Sequence, residues 1–310
     1  MKAIRIAQYG SSDLMKLEEI SKPVLKEGEV LVKVRAAGVN PIDWKIREGL
    51  RKDAFPVEFP LTLGQDFAGQ ILELGPGVTT GEDRYKVGDA VFGFAAHGSY
   101  AEMVVAKAKN ISRMPDSIDF ETAASIPTSG LTAWQVVTDA AKVAKGNRVL
   151  IHGAAGGVGS FALQISKWIG AHVTATASKD DSAYLQSLGA DQWIDFKSQR
   201  FETLIKDIDV VIDLIGGDTQ KRSLAVLKKG GIIVTTVGGL DGEELAKLGV
   251  RGMNFGMKRD SAGLSKLAAL VDQRVLKPRV AKVFPLSEAK QAHDLNQSGQ
   301  SHGKIVLKVA

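Results

Sequence analysis

Arg148-Val149-Leu150-Ile151-His152-Gly153-Ala154-Ala155-Gly156-Gly157-Val158-Gly159 is the stretch on which the fold class turns. Its apolar opening reads as a strand buried on both faces, and the glycines that follow break it. From Ser160 to Ile169 the apolar residues return at helical spacing. A strand, a glycine-rich turn and a helix together are what a dinucleotide needs. The turn must be tight, the backbone must approach the pyrophosphate, and the helix's first N–H groups must face it. In the G-x-G-x-x-G frame Ala154 stands at the first position, and Gly156 and Gly159 at the second and third. Glycines alone make an ordinary turn; the strand before them and the helix after them give the motif its meaning.

Strands and helices continue to alternate downstream. Ala171–Ala177 reads as a second strand and Asp181–Leu188 as a second helix. Val210–Leu214 and Gly231–Thr236 read as further buried strands. The alternation predicts an α/β, doubly wound parallel sheet covered on both faces. Upstream the chain is β-rich: Val30–Val34 alternates, Gln70–Leu74 stops at Gly75-Pro76-Gly77, and Ala90–Gly93 follows Gly88-Asp89. A short helix is predicted after Asn40-Pro41, where Pro suits the first turn. Helical spacing over Asp119–Ala141 is interrupted at Pro127 and Gly130. A helix follows Phe284-Pro285-Leu286, and Lys304–Val309 then alternates like the early strands. The expected division is therefore a β-rich domain from 1–122 and 284–310 around a dinucleotide domain at 123–283.

Composition narrows the function. The 310 residues suit two domains. Cysteine is absent, which excludes disulfides and Cys-ligated zinc or iron–sulfur sites. No apolar run is long enough for a membrane-spanning helix, and residues 1–6 alternate like a strand, unlike a secretory leader. A cytoplasmic location is the expectation. The net charge of +5 is mild, and no basic run marks a nucleic-acid surface. The excess suits a polyanionic small ligand. There is no Ser/His/Asp nucleophile motif, metal-ligand cluster or Walker loop.

NADPH is expected rather than NADH. An NAD site places Asp or Glu at the end of the second strand, about 20 residues on. Here Thr176, Ala177, Ser178 and Lys179 occupy that place. Ser178 can donate a hydrogen bond and Lys179 a positive charge to a 2′-phosphate. Asp180 and Asp181 follow directly and weaken the preference if they turn inward.

The glycine stretch resembles the zinc-independent quinone oxidoreductase branch of the medium-chain dehydrogenases/reductases. The likeness runs through Asn40-Pro41-Ile42-Asp43-Trp44-Lys45-Ile46-Arg47-Glu48-Gly49, Leu63-Gly64-Gln65-Asp66-Phe67-Ala68-Gly69 and Gly98-Ser99-Tyr100-Ala101-Glu102. It continues through Leu188-Gly189-Ala190-Asp191 and ends with Gly303-Lys304-Ile305-Val306-Leu307. It implies a GroES-like catalytic domain around a Rossmann domain, NADPH-dependent reduction of quinones or α,β-unsaturated carbonyls, and a homodimer. Zinc-dependent relatives carry Gly-His-Glu where this chain has Gly64-Gln65-Asp66, so no zinc is expected. Two departures bear on the cofactor: Phe196 stands where many relatives have a Tyr, and Asp181 where some have a phosphate-binding Lys. Lys45 stands where quinone-reducing members have an active-site Tyr.

By resemblance, Asn40 lies near the nicotinamide; a helix cap is its plainer role. Asp43 holds Lys45 or a backbone turn, and Lys45 donates to an enolate oxygen or is a solvated surface lysine. Thr128 and Ser129 begin a helix and contact nicotinamide and substrate, or merely cap it. Tyr100 is expected to be packing. Cofactor contacts are expected at Ala155, Gly156, Gly157, Val158, Gly159, Thr176, Ser178, Lys179 and Phe196. Leu214 and Gly238, beyond the carboxyl ends of later strands, are expected on the nicotinamide side. Met253, Phe255 and Met257 read as strand and core, and His152 and His172 as structural. A non-catalytic NADPH-binding sensor is the alternative from another class. A narrower one is a reductase of carrier-bound thioesters.

Overall fold

In the computed structural model, which describes residues 1–78 and 85–309, the strand Arg148–His152 lies inside a six-stranded parallel sheet. Its order is Gln192–Asp195, His172–Ala177, Arg148–His152, Ile208–Asp213, Leu227–Thr235 and Arg251–Asn254. In chain order that is third, second, first, fourth, fifth, sixth. The order reverses between Arg148–His152 and Ile208–Asp213, the place where sheets of this kind bind ligands beyond the carboxyl ends of their strands. Leu150, Val211 and Ile233 from three strands join Phe201, Ile205 and Leu224 in one buried cluster.

Several boundaries shift for physical reasons. The helix after the glycine turn begins at Gly157 rather than Ser160, because packing overrides the poor helix propensity of glycine. Pro127 does divide the helical stretch, into Phe120–Ala124 and Pro127–Gln135. Gly130 lies inside the second helix without breaking it, and a five-residue π turn, Val136–Ala140, follows. Arg251–Asn254 is an exposed edge strand, with Met253 42% exposed, so it is not core.

The chain divides into two units: Met1–Thr128 with Arg259–Asp272 and Pro278–Ala310, and Ser129–Lys258 with Gln273–Lys277. This differs from the expected boundary at 283. The helix Ser261–Asp272 packs on the strand Ile111–Arg113 of the first unit, where Ser265 Oγ and Ser112 Oγ are 2.9 Å apart. Within the first unit the long strand Glu29–Val39 pairs antiparallel with Asp66–Leu74, with Met103–Lys107 and with Lys304–Lys308. The last pairing sets Ile305 opposite Val39, and the preceding residue, Lys304, donates through its ammonium to the Val39 carbonyl. Val30, Val32, Val34, Phe67, Ile71 and Val91 form one core of this unit.

Gly38 shows how closely the elements meet. A Cβ there would lie 2.3 Å from the Ala124 carbonyl oxygen of the helix Phe120–Ala124. Gly38→Ala is expected to cost about 1–3 kcal/mol, the usual range for overpacking. Denaturant unfolding of the purified variant would measure it, and an unchanged midpoint would refute the close approach.

Candidate active site

The glycine loop is built by two different constraints. Gly153 leaves the strand at φ +69°, a backbone region that glycine enters without strain. A Cβ at Gly159 would lie 2.2 Å from the Gly153 carbonyl oxygen and 2.7 Å from Ala154 Cα, so the fold itself demands glycine there. At Gly156 a Cβ would meet only that same oxygen, at 3.3 Å. Gly156 is the N-cap of the helix Gly157–Ile169 and provides no side-chain cap. The first N–H groups of that helix, at Gly157 and Val158, thus face outward from bare backbone. This cradle fits an anionic pyrophosphate.

The neighbouring strand ends are occupied in an informative way. Thr176 is buried, and its hydroxyl lies 3.0 Å from His152 Nδ1. Ser223 Oγ donates to the Thr219 carbonyl, so it accepts from His152 Nε2 at 2.8 Å. Burial drives the His152 pKa down to about 4, so the imidazole is neutral and structural. The hydroxyl of Ser178 donates to the buried carboxylate of Asp181, while Lys179 and Phe196 are exposed. Asp181 has therefore turned inward and Asp180 has not. At the end of the fourth strand Asp213 is fully buried. It accepts from the N–H groups of Ile215 and Gly216, the amide of Gln220 and the hydroxyl of Thr235. Gln220 also donates to the carbonyl of Gly238, at 2.9 Å, and nothing lies within 4 Å of where a Gly238 Cβ would stand. Leu214 is half-buried beside this turn.

In the first unit, Asn40 is the hub of a buried polar network. It caps the helix Pro41–Arg47, its own N–H donating to Asp43 Oδ2 at 2.8 Å. Its Oδ1 accepts from Lys304 Nζ at 2.5 Å, and its Nδ2 donates to Asp66 Oδ2 at 2.9 Å. Asp66 also accepts from the Thr128 N–H at 3.0 Å and the Thr128 hydroxyl at 2.6 Å. A second branch runs from Asp43 outward. Arg47 donates to His293 Nδ1, which leaves the proton on Nε2 to face the Tyr100 hydroxyl at 3.1 Å. Tyr100 in turn donates to Asp43 Oδ2 at 3.0 Å. Burial raises the Asp43 pKa to about 7, helped by Asp66 and opposed by the Asn40 bond. Burial also raises Asp66, against the pull of Lys304, and lowers Lys304. It drives His293 down to about 3, with Arg47 beside it adding to the effect.

These contacts reassign several roles. Asp43 serves the cap and Tyr100 rather than Lys45. Lys45 is half-buried, with its ammonium 5.5 Å from the centre of the Trp44 ring. Tyr100 is part of the network as well as packing. The proton of the Thr128 hydroxyl is committed to Asp66, so towards a ligand that oxygen is an acceptor and not an acid. Asp66, Lys304, Arg47 and His293 were not singled out as site residues in the sequence. The available signals were a carboxylate opening the apolar run Asp66–Gly69 and a lysine at the head of a buried strand. Among the described residues no group of three or more His, Asp or Glu is placed to hold a metal.

Comparison with known proteins covers the whole chain. Residues 26–116 match the family model of the alcohol dehydrogenase GroES-like domain, and residues 188–307 that of the zinc-binding dehydrogenases. The mitochondrial NAD(P)H oxidoreductase RTN4IP1 of Mus musculus is 33% identical, across 100% of this chain and 89% of its own length. A 2-methylene-furan-3-one reductase of Solanum lycopersicum is 33% identical, across 99% of this chain and 79% of its own length. The Escherichia coli quinone oxidoreductase complexed with NADPH superposes with a TM-score of 0.90 at 27% identity, covering 100% of both chains. The expected cytoplasmic location is corrected by the first of these, a mitochondrial protein similar over the full chain. The strand-like alternation of residues 1–6 did not discriminate between compartments.

The raised Asp43 pKa has a consequence for stability. A carboxyl that holds its proton more tightly when folded stabilises the native state most at low pH, and that contribution fades as pH rises from about 4 towards 7. In Asp43→Asn the amide oxygen can accept both existing bonds, and the NH2 takes the place of Oδ1, which has no partner. Stability of the variant is expected to decline less than that of the parent between pH 5 and 8. Thermal melts across that range test this, and parallel curves would exclude a raised pKa.

Proposed function

Since this chain belongs to the zinc-independent quinone/enone oxidoreductase branch of the medium-chain dehydrogenase/reductase superfamily, we propose that it is an NADPH-dependent reductase of quinones or α,β-unsaturated carbonyls. The observation that carries this reading is that one unit holds an open glycine cradle and the other an ordered Asn40–Asp66–Thr128 network. When bound, NADPH supplies the hydride. The bare backbone of Ala155, Gly156, Gly157, Val158 and Gly159 would hold its pyrophosphate, and the turns at Leu214 and Gly238 its nicotinamide side. The exposed Lys179 would meet the 2′-phosphate beside Ser178, with the ring of Phe196 an apolar surface at the same end and Thr176 supporting from beneath.

Asn40 and Thr128 orient the reacting groups. Thr128 offers an acceptor to an N–H or O–H and cannot supply the proton. When hydride adds to the β-carbon of an enone, negative charge builds on the carbonyl oxygen, and Lys45 is the donor assigned to stabilise it in this reading. Lys45 or water delivers the proton to the α-carbon. Asp43 acts by holding the cap of Asn40. The homodimer reading finds support in the exposed edge strand Arg251–Asn254. Among the described residues it pairs with Leu227–Thr235 alone and offers a second edge to another copy.

Oxidation of NADPH and NADH at 340 nm tests the assignment, against 1,4-benzoquinone, 9,10-phenanthrenequinone, 2-hexenal and methyl vinyl ketone. Turnover is expected with NADPH in preference to NADH. Lys45→Ala is expected to lower kcat for the alkenal by roughly tenfold to a thousandfold, the range for a lost transition-state donor, with little change in NADPH affinity. Tight NADPH binding without turnover of any acceptor would replace the reductase reading with that of a nucleotide sensor.

A further inference from the structure

We infer that Lys304 is a positioning residue of the hydride-transfer site: its buried ammonium fixes the carboxamide of Asn40 and the charge on Asp66, and through them the hydroxyl of Thr128. The inference rests on the reading above that Asn40 and Thr128 face the reacting groups.

Lys304 opens the strand Lys304–Lys308, and only 6% of it is exposed. Lysines are almost never buried unless something fixes the charge. Its ammonium donates to the Val39 carbonyl at 3.0 Å and to Asn40 Oδ1 at 2.5 Å. It therefore grips the end of one strand and the side chain that caps the next helix.

The ammonium has only hydrogens to offer, so only the oxygen of the Asn40 amide can face it. The other end of the amide then presents its NH2 to Asp66 Oδ2. A flipped amide would set donor against donor at Lys304 and oxygen against carboxylate at Asp66. Both ends forbid the flip, and the cation is the end that cannot change its character.

Asp66 is fully buried and accepts from Asn40 Nδ2, Thr128 N and Thr128 Oγ1. As a carboxylate it takes all three bonds with no proton of its own to place. The charged and titratable groups around it are Lys304 from the last strand, Asp43 from the helix Pro41–Arg47, Tyr100, and Arg259, which donates to Gln65 Oε1. Asp43 opposes ionisation of Asp66; Lys304 is the chief force favouring it. Without the ammonium the Asp66 carboxyl holds a proton more readily, and that proton competes for the oxygen that now holds the Thr128 hydroxyl. Thr128 then turns, and its acceptor is lost to the ligand. A lysine that merely anchored the last strand would leave the protonation of Asp66 unchanged.

Two variants test this: Lys304→Met, and Lys304→Met with Asp66→Asn, in which both buried charges are removed together. The first readout needs no cofactor: the carboxyl 13C shift of Asp66 followed through a pH titration of the apo protein. In Lys304→Met it is expected to titrate at higher pH than in the parent. The second readout is the pH profile of kcat/KM with whichever acceptor the parent reduces. For Lys304→Met it is expected to fall roughly tenfold or more at pH 7, through kcat more than through the KM for NADPH, and to recover as pH rises and Asp66 ionises. The double variant is expected to regain thermal stability, because no unbalanced buried charge remains. Its rate is expected to stay low and no longer recover at high pH. An unchanged Asp66 titration in Lys304→Met would overturn the inference, as would a lower melting temperature with an unshifted pH profile. If Lys304→Met does not fold, the double variant decides, and a parental rate and profile there would overturn it. A parent that reduces no acceptor would refute the proposed function, and the Asp66 titration would still judge Lys304.

Discussion

A carboxylate held inside protein must be surrounded by hydrogen-bond donors, and the first unit is organised around meeting that demand at Asp66. The donors arrive from well-separated parts of the chain: Asn40 at a helix cap, and Thr128 at the start of a helix nearly ninety residues later in the sequence. Neither donor carries a charge of its own, and the nearest cation, the Lys304 ammonium, reaches Asp66 through the Asn40 amide. The pairing of Lys304–Lys308 with Glu29–Val39 brings that charge into place. Strand register, cap geometry and side-chain chemistry thus converge on one oxygen pair. A shift of one residue in the last strand would turn Lys304 to the opposite face.

The second unit solves a similar problem with other means. Its strands end in loops that must turn sharply while leaving backbone exposed for a ligand. Gly159 lets helix and turn interlock, and Gly156 leaves the helix end uncovered. Asp213 does for the next loop what Asp66 does in the first unit. It gathers the N–H groups of Ile215 and Gly216 and the side chains of Gln220 and Thr235. In both units a buried acid gathers donors from separate segments and fixes the loops around it.

The parallel sheet was legible because continuous apolar strands such as Val149–Ile151 and Val210–Ile212 cannot face water, and the glycines after Arg148–His152 have a positional logic of their own. The cap at Asn40 was legible from Asn-Pro. Lys304 and Asp66 were visible only as members of a resemblance. Their chemistry arises from a pairing across more than two hundred residues, which no local pattern encodes. Alternation would give Lys304 the same face as Val306 and the exposed Lys308, and it does not say which lysine is enclosed. Asp181 shows the same gap, because whether an acid turns inward depends on the hydroxyl of Ser178 rather than on spacing. Met253, read as core together with Phe255 and Met257, lies instead on the exposed edge strand Arg251–Asn254, because alternating Met and Phe carry the apolar signal of a half-buried strand.

The pairing of Glu29–Val39 with Lys304–Lys308 also sets an order of events at the ribosome. The parallel sheet is complete once Asn254 has been made, and its strands are drawn from one continuous run of chain. Glu29–Val39, synthesised long before, waits for its neighbour until the final strand emerges, with Asn40 and Asp66 lacking their counter-charge meanwhile. So long a loop is costly in entropy to close. A nascent chain therefore holds all the strands around its glycine loop before it can join Lys304 to Asn40 and Asp66, and translation separates the two in time.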